Sequence, residues 1–200
     1  MSALTDTPNF TGHFLIAMPA MGDGVFGKTL TYICEHNDQG ALGLVVNRQL
    51  DLKMAKLMEQ IEIPLHEEGT DGEAGKASSL GERRIHFGGP VQQDRGFVLH
   101  RPIGDWNSTL KITSEIGLTT SKDILKALAE GKGPHDMLLT LGYAGWSAGQ
   151  LESEIAQNSW LTVEATPGII FSLPIEERLD AAMGLIGANW ATLSGVAGRA

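Results

Sequence analysis

Apolar positions in this chain fall mostly into short runs, each stopped by glycine, proline or a polar cluster. Phe14-Leu15-Ile16-Ala17-Met18, closed by Pro19, predicts a buried strand. Thr29 to Glu35 is β-branched and aromatic, and Ala41 to Val46 is apolar again. Between them, His36-Asn37-Asp38-Gln39-Gly40 has turn chemistry, so the stretch predicts a hairpin. Gly22-Asp23-Gly24-Val25-Phe26-Gly27 reads as a loop with positions suited to positive φ. The period then changes. Leu50, Met54, Leu57, Met58 and Ile61 fall at helical spacing, which predicts a helix from Leu50 to Ile61 with Asp51 as N-cap, ending before Pro64.

His66 to Arg83 is rich in glycine, glutamate and serine and poor in apolar residues, the signature of a flexible surface loop at 66–83. Short strands follow at Ile85–Phe87 and Gly96–Leu99, around Gly88-Gly89-Pro90. Leu110–Thr113 and Gly117–Thr119 form a second expected hairpin. Thr120 and Asp123 suggest a capping box for a helix through Leu128, ended by Gly131. A buried strand is expected at Met137–Leu141, a short helix at Gln150–Ala156, and strands at Trp160–Val163 and Gly168–Phe171. Pro174, followed by Glu176 and Glu177, opens a final helix whose face is Leu179, Ala182, Met183 and Ile186. Strands outnumber helices and do not alternate with them, and no internal repeat is present. The expectation is a single α+β domain over residues 1–200 rather than a doubly wound α/β sheet.

Composition narrows the function classes. The net charge of −9 and pI near 5.1 work against direct DNA binding, which draws most of its affinity from Lys and Arg on phosphates. Cys34 is the only cysteine, so neither an intrachain disulfide nor a thiolate zinc cluster can form. The N-terminal residues lack the pattern of a signal peptide, and the first apolar run is too short to span a bilayer. A cytoplasmic protein with no membrane association is expected.

Seven blocks of the sequence carry a family resemblance. They are Phe14 to Pro19, Tyr32 to Asn37, Gly43 to Asn47, Gly88 to Val91, Asp94 to His100, Leu141 to Trp146 continuing into Gly149-Gln150-Leu151-Glu152, and Gly195 to Gly198. In this order they resemble the AlgH/YqgE family of bacterial proteins, collinearly from about Phe10 to the C-terminus. The resemblance implies a mixed, mostly antiparallel sheet that is bifurcated and partly barrel-like, flanked by helices. It implies little chemistry, because no cofactor or catalytic set is established for that largely uncharacterised family. Its link to the regulation of alginate production suggests a transcription-linked regulator, but this sequence has no helix-turn-helix pattern. Gly24 and Arg199 stand where relatives often have proline and histidine.

Several constellations invite a chemical reading. Gly145-Trp146-Ser147-Ala148-Gly149 matches the nucleophile-elbow pattern between an expected strand and helix, but all six histidines precede Ser147, so a turn is preferred. Cys34, His36 and Tyr32 would share one strand face, and with Asp23 they make the least unfavourable centre for a small-molecule enzyme. A lone cysteine in an apolar strand is more often a core residue, and that reading is preferred. His36, His86, His100, Glu35, Asp23 and Asp94 show no metal-motif spacing, so neither metal nor cofactor is expected. Gly88 and Gly89 could cradle an anion helped by Arg95 or Arg101, although a tight strand connection is the preferred reading. Tyr143, Trp146 and Trp160 could line a pocket or an interface. The expectation is a non-catalytic regulatory or adaptor protein binding a protein or small-molecule partner. Its candidate residues are Asp23, His36, Asn47, Gly88, Gly89, Arg95, Tyr143 and Trp146.

Overall fold

The computed structural model describes residues 8–65, 80–190 and 193. Their period-two apolar runs build the ten-stranded sheet, with side chains alternating between two faces. The strands are β1 (His13–Ala17), β2 (Leu30–Asn37), β3 (Gly40–Val45), β4 (Gln49–Lys53), β5 (Arg84–Phe87), β6 (Val91–Arg101), β7 (Thr109–Lys111), β8 (Gly117–Thr119), β9 (Asp136–Ser147) and β10 (Trp160–Glu164). Interspersed are helices α1 (Met54–Gln60), α2 (Lys122–Ala129), α3 (Gln150–Ala156), α4 (Pro167–Phe171) and α5 (Arg178–Gly184). The main path is β10-β1-β2-β3-β9-β6-β8-β7, with β5 pairing both β4 and β9. Every pairing is antiparallel except β5 with β9. This is the mixed α+β, half-barrel architecture expected from the resemblance.

The bifurcation lies on β9. One edge of its first half pairs with β5, through His86↔Thr140 and Phe87↔Leu141. The second half pairs with β3, from Gly43↔Ala144 to Gly40↔Ser147. At the branch point Gly142 adopts φ +74°, and a Cβ there would collide with the Gly89 carbonyl. Gly88 closes the wedge: its N–H donates to Leu141 O at 2.9 Å and its carbonyl accepts from Val45 N at 2.9 Å.

The alternation sends Phe14, Ile16, Leu30, Tyr32, Leu44, Phe97 and Leu99 to the concave face, where α4 and α5 supply Ile169, Ile170, Ala182 and Met183. On the opposite face α1 and α2 cover Ile85, Val98 and Leu139. Further along that face α3 packs Leu151 against Leu15, Ile33, Trp146 and Trp160.

Several expectations are corrected. Gln49–Lys53 is a strand, not the first turns of a helix. Leu50 and Leu52 alternate with polar neighbours, and Asp51, instead of capping, accepts an ion pair from Arg84 at 2.9 Å. Lys53 occupies the N-cap position of α1. Gly168–Phe171 is helical, because Pro167 starts a turn that the apolar run alone disguises. The cap of α2 is Ser121, not Thr120. Pro174 introduces a 3₁₀ turn, Ile175–Glu177, ahead of α5. Strand β2 continues through His36 and Asn37, and β9 runs on to Ser147 although Gly142 and Gly145 look like breakers. Of the expected loop at 66–83, residues 66–79 lie outside the described residues. Residues 80–82 are helical, and Leu80 is buried with the α1–α2 cluster.

Candidate functional site

The proposed Cys34–His36 centre does not assemble. A bulge between Ile33 and Glu35 shifts the alternation of β2. Cys34 stays with Tyr32 in the concave core, where burial pushes its thiol well above the usual range and its Sγ lies 3.7 Å from Tyr32 O. His36 instead meets the Phe10 ring at 5.3 Å. Its Nδ1 accepts the Phe10 N–H at 3.1 Å, which makes Nε2 the protonated nitrogen, donating to Glu152 Oε1 at 3.0 Å. A buried high-pKa thiol and an imidazole committed to a carboxylate leave no activated nucleophile.

Ser147 closes β9, and its N–H and Oγ both donate to Gln150 Oε1, at 3.0 and 3.1 Å, tying the strand end to α3. Trp146 belongs to the same corner. The indoles of Trp146 and Trp160 both donate to Glu154 Oε2 at 2.8 Å. Burial works to raise the Glu154 carboxyl, yet the hydrogen bonds from Trp160, Gln150 and Trp146 hold it below the ordinary glutamate range.

Asn47 is a brace. Its Oδ1 accepts Leu30 N–H at 2.7 Å and its Nδ2 donates to Lys28 O at 2.9 Å. Gly88 and Gly89 are buried at the branch point, where Cβ atoms would collide with the Gly142 and Tyr143 carbonyls. Asp23 is exposed on the loop before β2.

Arg95 and Tyr143 do come together. Between the pairs Val91↔Tyr143 and Gly96↔Leu141 the register of β6 slips, so residues 92–95 bulge away from β9, and Gln92 takes φ +47°. This bulge puts Arg95 over Phe97, 5.3 Å from the ring centroid. Phe97 in turn packs edge-on against Tyr143 at 5.5 Å. The three residues line an open groove of about 470 Å³. Its apolar floor is Leu42, Phe97, Leu110, Leu118 and Tyr143, one residue from each of five strands, and its rim carries Arg95, Asn107, Ser108, Thr109 and Thr120. Of the sequence candidates, Arg95 and Tyr143 line this groove; Asp23, His36, Asn47, Gly88, Gly89 and Trp146 do not.

The rim from Asn107 to Thr109 escaped the sequence reading because nothing in a short polar stretch before a short strand marks it as concave. The usable signal was the expected β7–β8 hairpin, which had to end the sheet somewhere. Among the described residues no group of three His, Cys, Asp or Glu side chains is placed to hold a metal ion. Among them, too, no helix is long and apolar enough to cross a membrane.

Comparison with known proteins agrees with this architecture. The solution structure of the AlgH protein from Pseudomonas aeruginosa superposes with a TM-score of 0.75 at 46% identity, covering 100% of this chain and 99% of that one. The crystal structure of protein DIP2367 from Corynebacterium diphtheriae shares the fold, with a TM-score of 0.69 at 18% identity, 94% of this chain and 93% of that one. A UPF0301 protein of Azoarcus sp. (strain BH72) is 57% identical over 196 residues, 98% of this chain and 99% of the relative. A UPF0301 protein of Chromobacterium violaceum is 55% identical over 188 residues, 94% and 96% of the two chains. The AlgH-like family matches residues 14–191, and the chain belongs to that family.

Proposed function

We propose that this chain is a non-catalytic regulatory or adaptor protein that binds a partner in the groove between Arg95 and β7. The observation that carries the reading is the composition of that groove: five apolar side chains from adjacent strands, rimmed by hydrogen-bonding groups and one cation. Among the described residues strand β7 ends the sheet beside it and pairs with β8 alone, so its outer backbone groups are available to a further strand. A short extended segment of a partner protein satisfies both features at once, with backbone pairing along β7 and apolar side chains on the floor. The same floor accepts a small ligand with an apolar body and a polar or anionic end facing Arg95. A single domain with one cysteine, in the cytoplasm, suits this role. The competing reading, an enzyme built on Cys34 and His36, loses support from the burial of the thiol and its separation from the imidazole.

The test uses two groove variants. Arg95 and Ser108 are exposed, so Arg95→Glu and Ser108→Trp alter the rim without touching the core. A component crosslinked to the protein in extract of its own organism is purified and titrated against each form. Loss of about tenfold or more in affinity in both variants is the expected result. Unchanged affinity in both removes the groove as the binding site, and turnover abolished by Cys34→Ala would restore the enzyme reading.

A further inference from the structure

Among the described residues three histidines are buried: His36 at 6%, His86 at 7% and His100 at 0% exposure. Two are fully engaged by the protein. His36 sits between Phe10 N–H and Glu152, and His100 between Pro102 O at 2.9 Å and Thr119 Oγ1 at 2.8 Å. Among the described residues neither ring nitrogen of His86 meets the full geometry of a hydrogen bond, and only the Leu139 backbone acts on the ring as a weak one. Leaving a buried polar group in that condition is costly, so the position calls for a partner supplied from elsewhere.

His86 lines a second cleft, of about 320 Å³, formed by β4, β5, the start of β9, α4 and α5. Arg178, the first residue of α5, lines it too and is only 8% exposed. Its guanidinium donates to Val46 O at 2.6 Å and to Leu173 O at 3.1 Å. Both acceptors are neutral carbonyls, and among the described residues no carboxylate lies within ion-pair distance of it. Arg83 and Arg84 also line the wall, Arg84 in its ion pair with Asp51 at 2.9 Å. Asp136 is the one carboxylate there, and it is already engaged by Arg101 at 2.6 Å and His135 at 2.9 Å. In a chain of net charge −9, this concentration of cations around an imidazole without a full hydrogen bond is out of keeping with the rest of the composition. The remaining wall is apolar, with Met137, Leu138, Ile170 and Phe171.

We propose that the cleft between β5 and α5 is a binding site for a small organic anion. Its oxyanion head, carboxylate or phosphate, takes hydrogen bonds from His86 and the remaining guanidinium N–H groups of Arg178, and its hydrocarbon part lies on Met137, Leu138, Ile170 and Phe171. A planar guanidinium suits either head, and its two carbonyl contacts fix its orientation in advance. The entrance arginines draw the anion in, and a cleft of this volume limits it to metabolite size. This site shares no lining residue with the Arg95 groove, so each stands or falls separately.

The probes are phenyl phosphate and benzoate, titrated at constant ionic strength set with chloride. The His86 ring is followed by long-range ¹H–¹⁵N NMR and the melting temperature in parallel. Binding of either probe moves the His86 ring resonances and raises the melting temperature, and the stronger of the two identifies the preferred head. His86→Leu removes the donor, and it weakens binding by roughly ten- to a hundredfold. Arg178→Lys keeps the charge, loses the fork and weakens binding too. A His86 ring that responds to neither probe at millimolar concentration overturns the proposal. Equal affinity in wild type and His86→Leu overturns it as well.

Discussion

The corner under α3 and the cleft under α5 both bury polar side chains, and they treat them in opposite ways. In the corner the indoles, the carboxylates and the imidazole are answered internally: two indoles and Gln150 converge on Glu154, and His36 is held on both sides. In the cleft, among the described residues, no hydrogen bond of full geometry reaches His86, and the hydrogen bonds of Arg178 go to neutral carbonyls. Both arrangements sit on strand and helix ends of the same sheet, so architecture does not separate them. What does is saturation. A completed polar network fixes a scaffold, while an incomplete one next to open space is where a fold can accommodate something else.

The contrast is open to measurement, and the largest effect belongs to the saturated corner. Glu154→Leu strands the indole N–H groups of Trp146 and Trp160 and lowers unfolding free energy by about 3 kcal/mol, read by urea denaturation. Acid comes next. Burial, reinforced by the Arg178 charge, pushes the His86 pKa down to about 4 from 6.5. Between those values the unfolded chain binds the extra proton, so the stabilisation is fully present above about pH 6.5 and is lost as pH falls towards 4, by about 2–3 kcal/mol. Arg83, Arg84, Arg178, His135 and Asp136 surround the ring, and subtracting the His86→Leu pH profile from wild type isolates its share. His36→Leu leaves the Phe10 N–H and Glu152 without their partner and costs about 1–2 kcal/mol. The smallest change has the opposite sign: in chloride buffer above pH 7, His86→Leu stabilises by about 1 kcal/mol, because it removes nitrogens without a full hydrogen bond instead of stranding a partner. Two histidine-to-leucine substitutions moving stability in the same direction would erase the distinction between corner and cleft.

Much of the sheet was legible because short apolar or β-branched runs such as Phe14–Ala17 and Thr29–Glu35, stopped by turn residues, mark buried strands, and the family blocks supplied its bifurcated form. Failures came where two periods coincide or where length is ambiguous. Leu50 and Met54 satisfy a helix while Leu50 and Leu52 satisfy a strand, and the β4–β5 pairing settled it. Pro167-Gly168-Ile169-Ile170-Phe171 is too short for either period to assert itself, so packing decided. A bulge leaves no periodic trace, which is why Cys34 and His36 were assigned one face. For the sites, Arg95 and Tyr143 were within reach because they lie within family blocks. Arg178 was not: on a surface-facing final helix an arginine reads as solvated, and only the curl of the sheet brings the Val46 carbonyl to it. His86 looked like one more scattered histidine, because whether a ring has partners is a property of the folded chain.

The division of β9 also sets an order of events during synthesis. The β2–β3 hairpin is complete once Val45 has been made, but its next neighbour, the second half of β9, lies about 100 residues downstream, as the Gly43↔Ala144 pairing requires. At ribosomal speed that gap is roughly 5–20 s, far longer than a hairpin needs to form. Throughout that interval β3, with Leu42, Leu44 and Val45, offers an unpaired edge to any other nascent chain. The glycines at 40 and 43 weaken it as a template, and β9 then seals it when the branch point closes. A strand that serves three partners is therefore also the one that closes the β3 edge, and ending the chain anywhere before Ser147 should leave that edge open and raise aggregation.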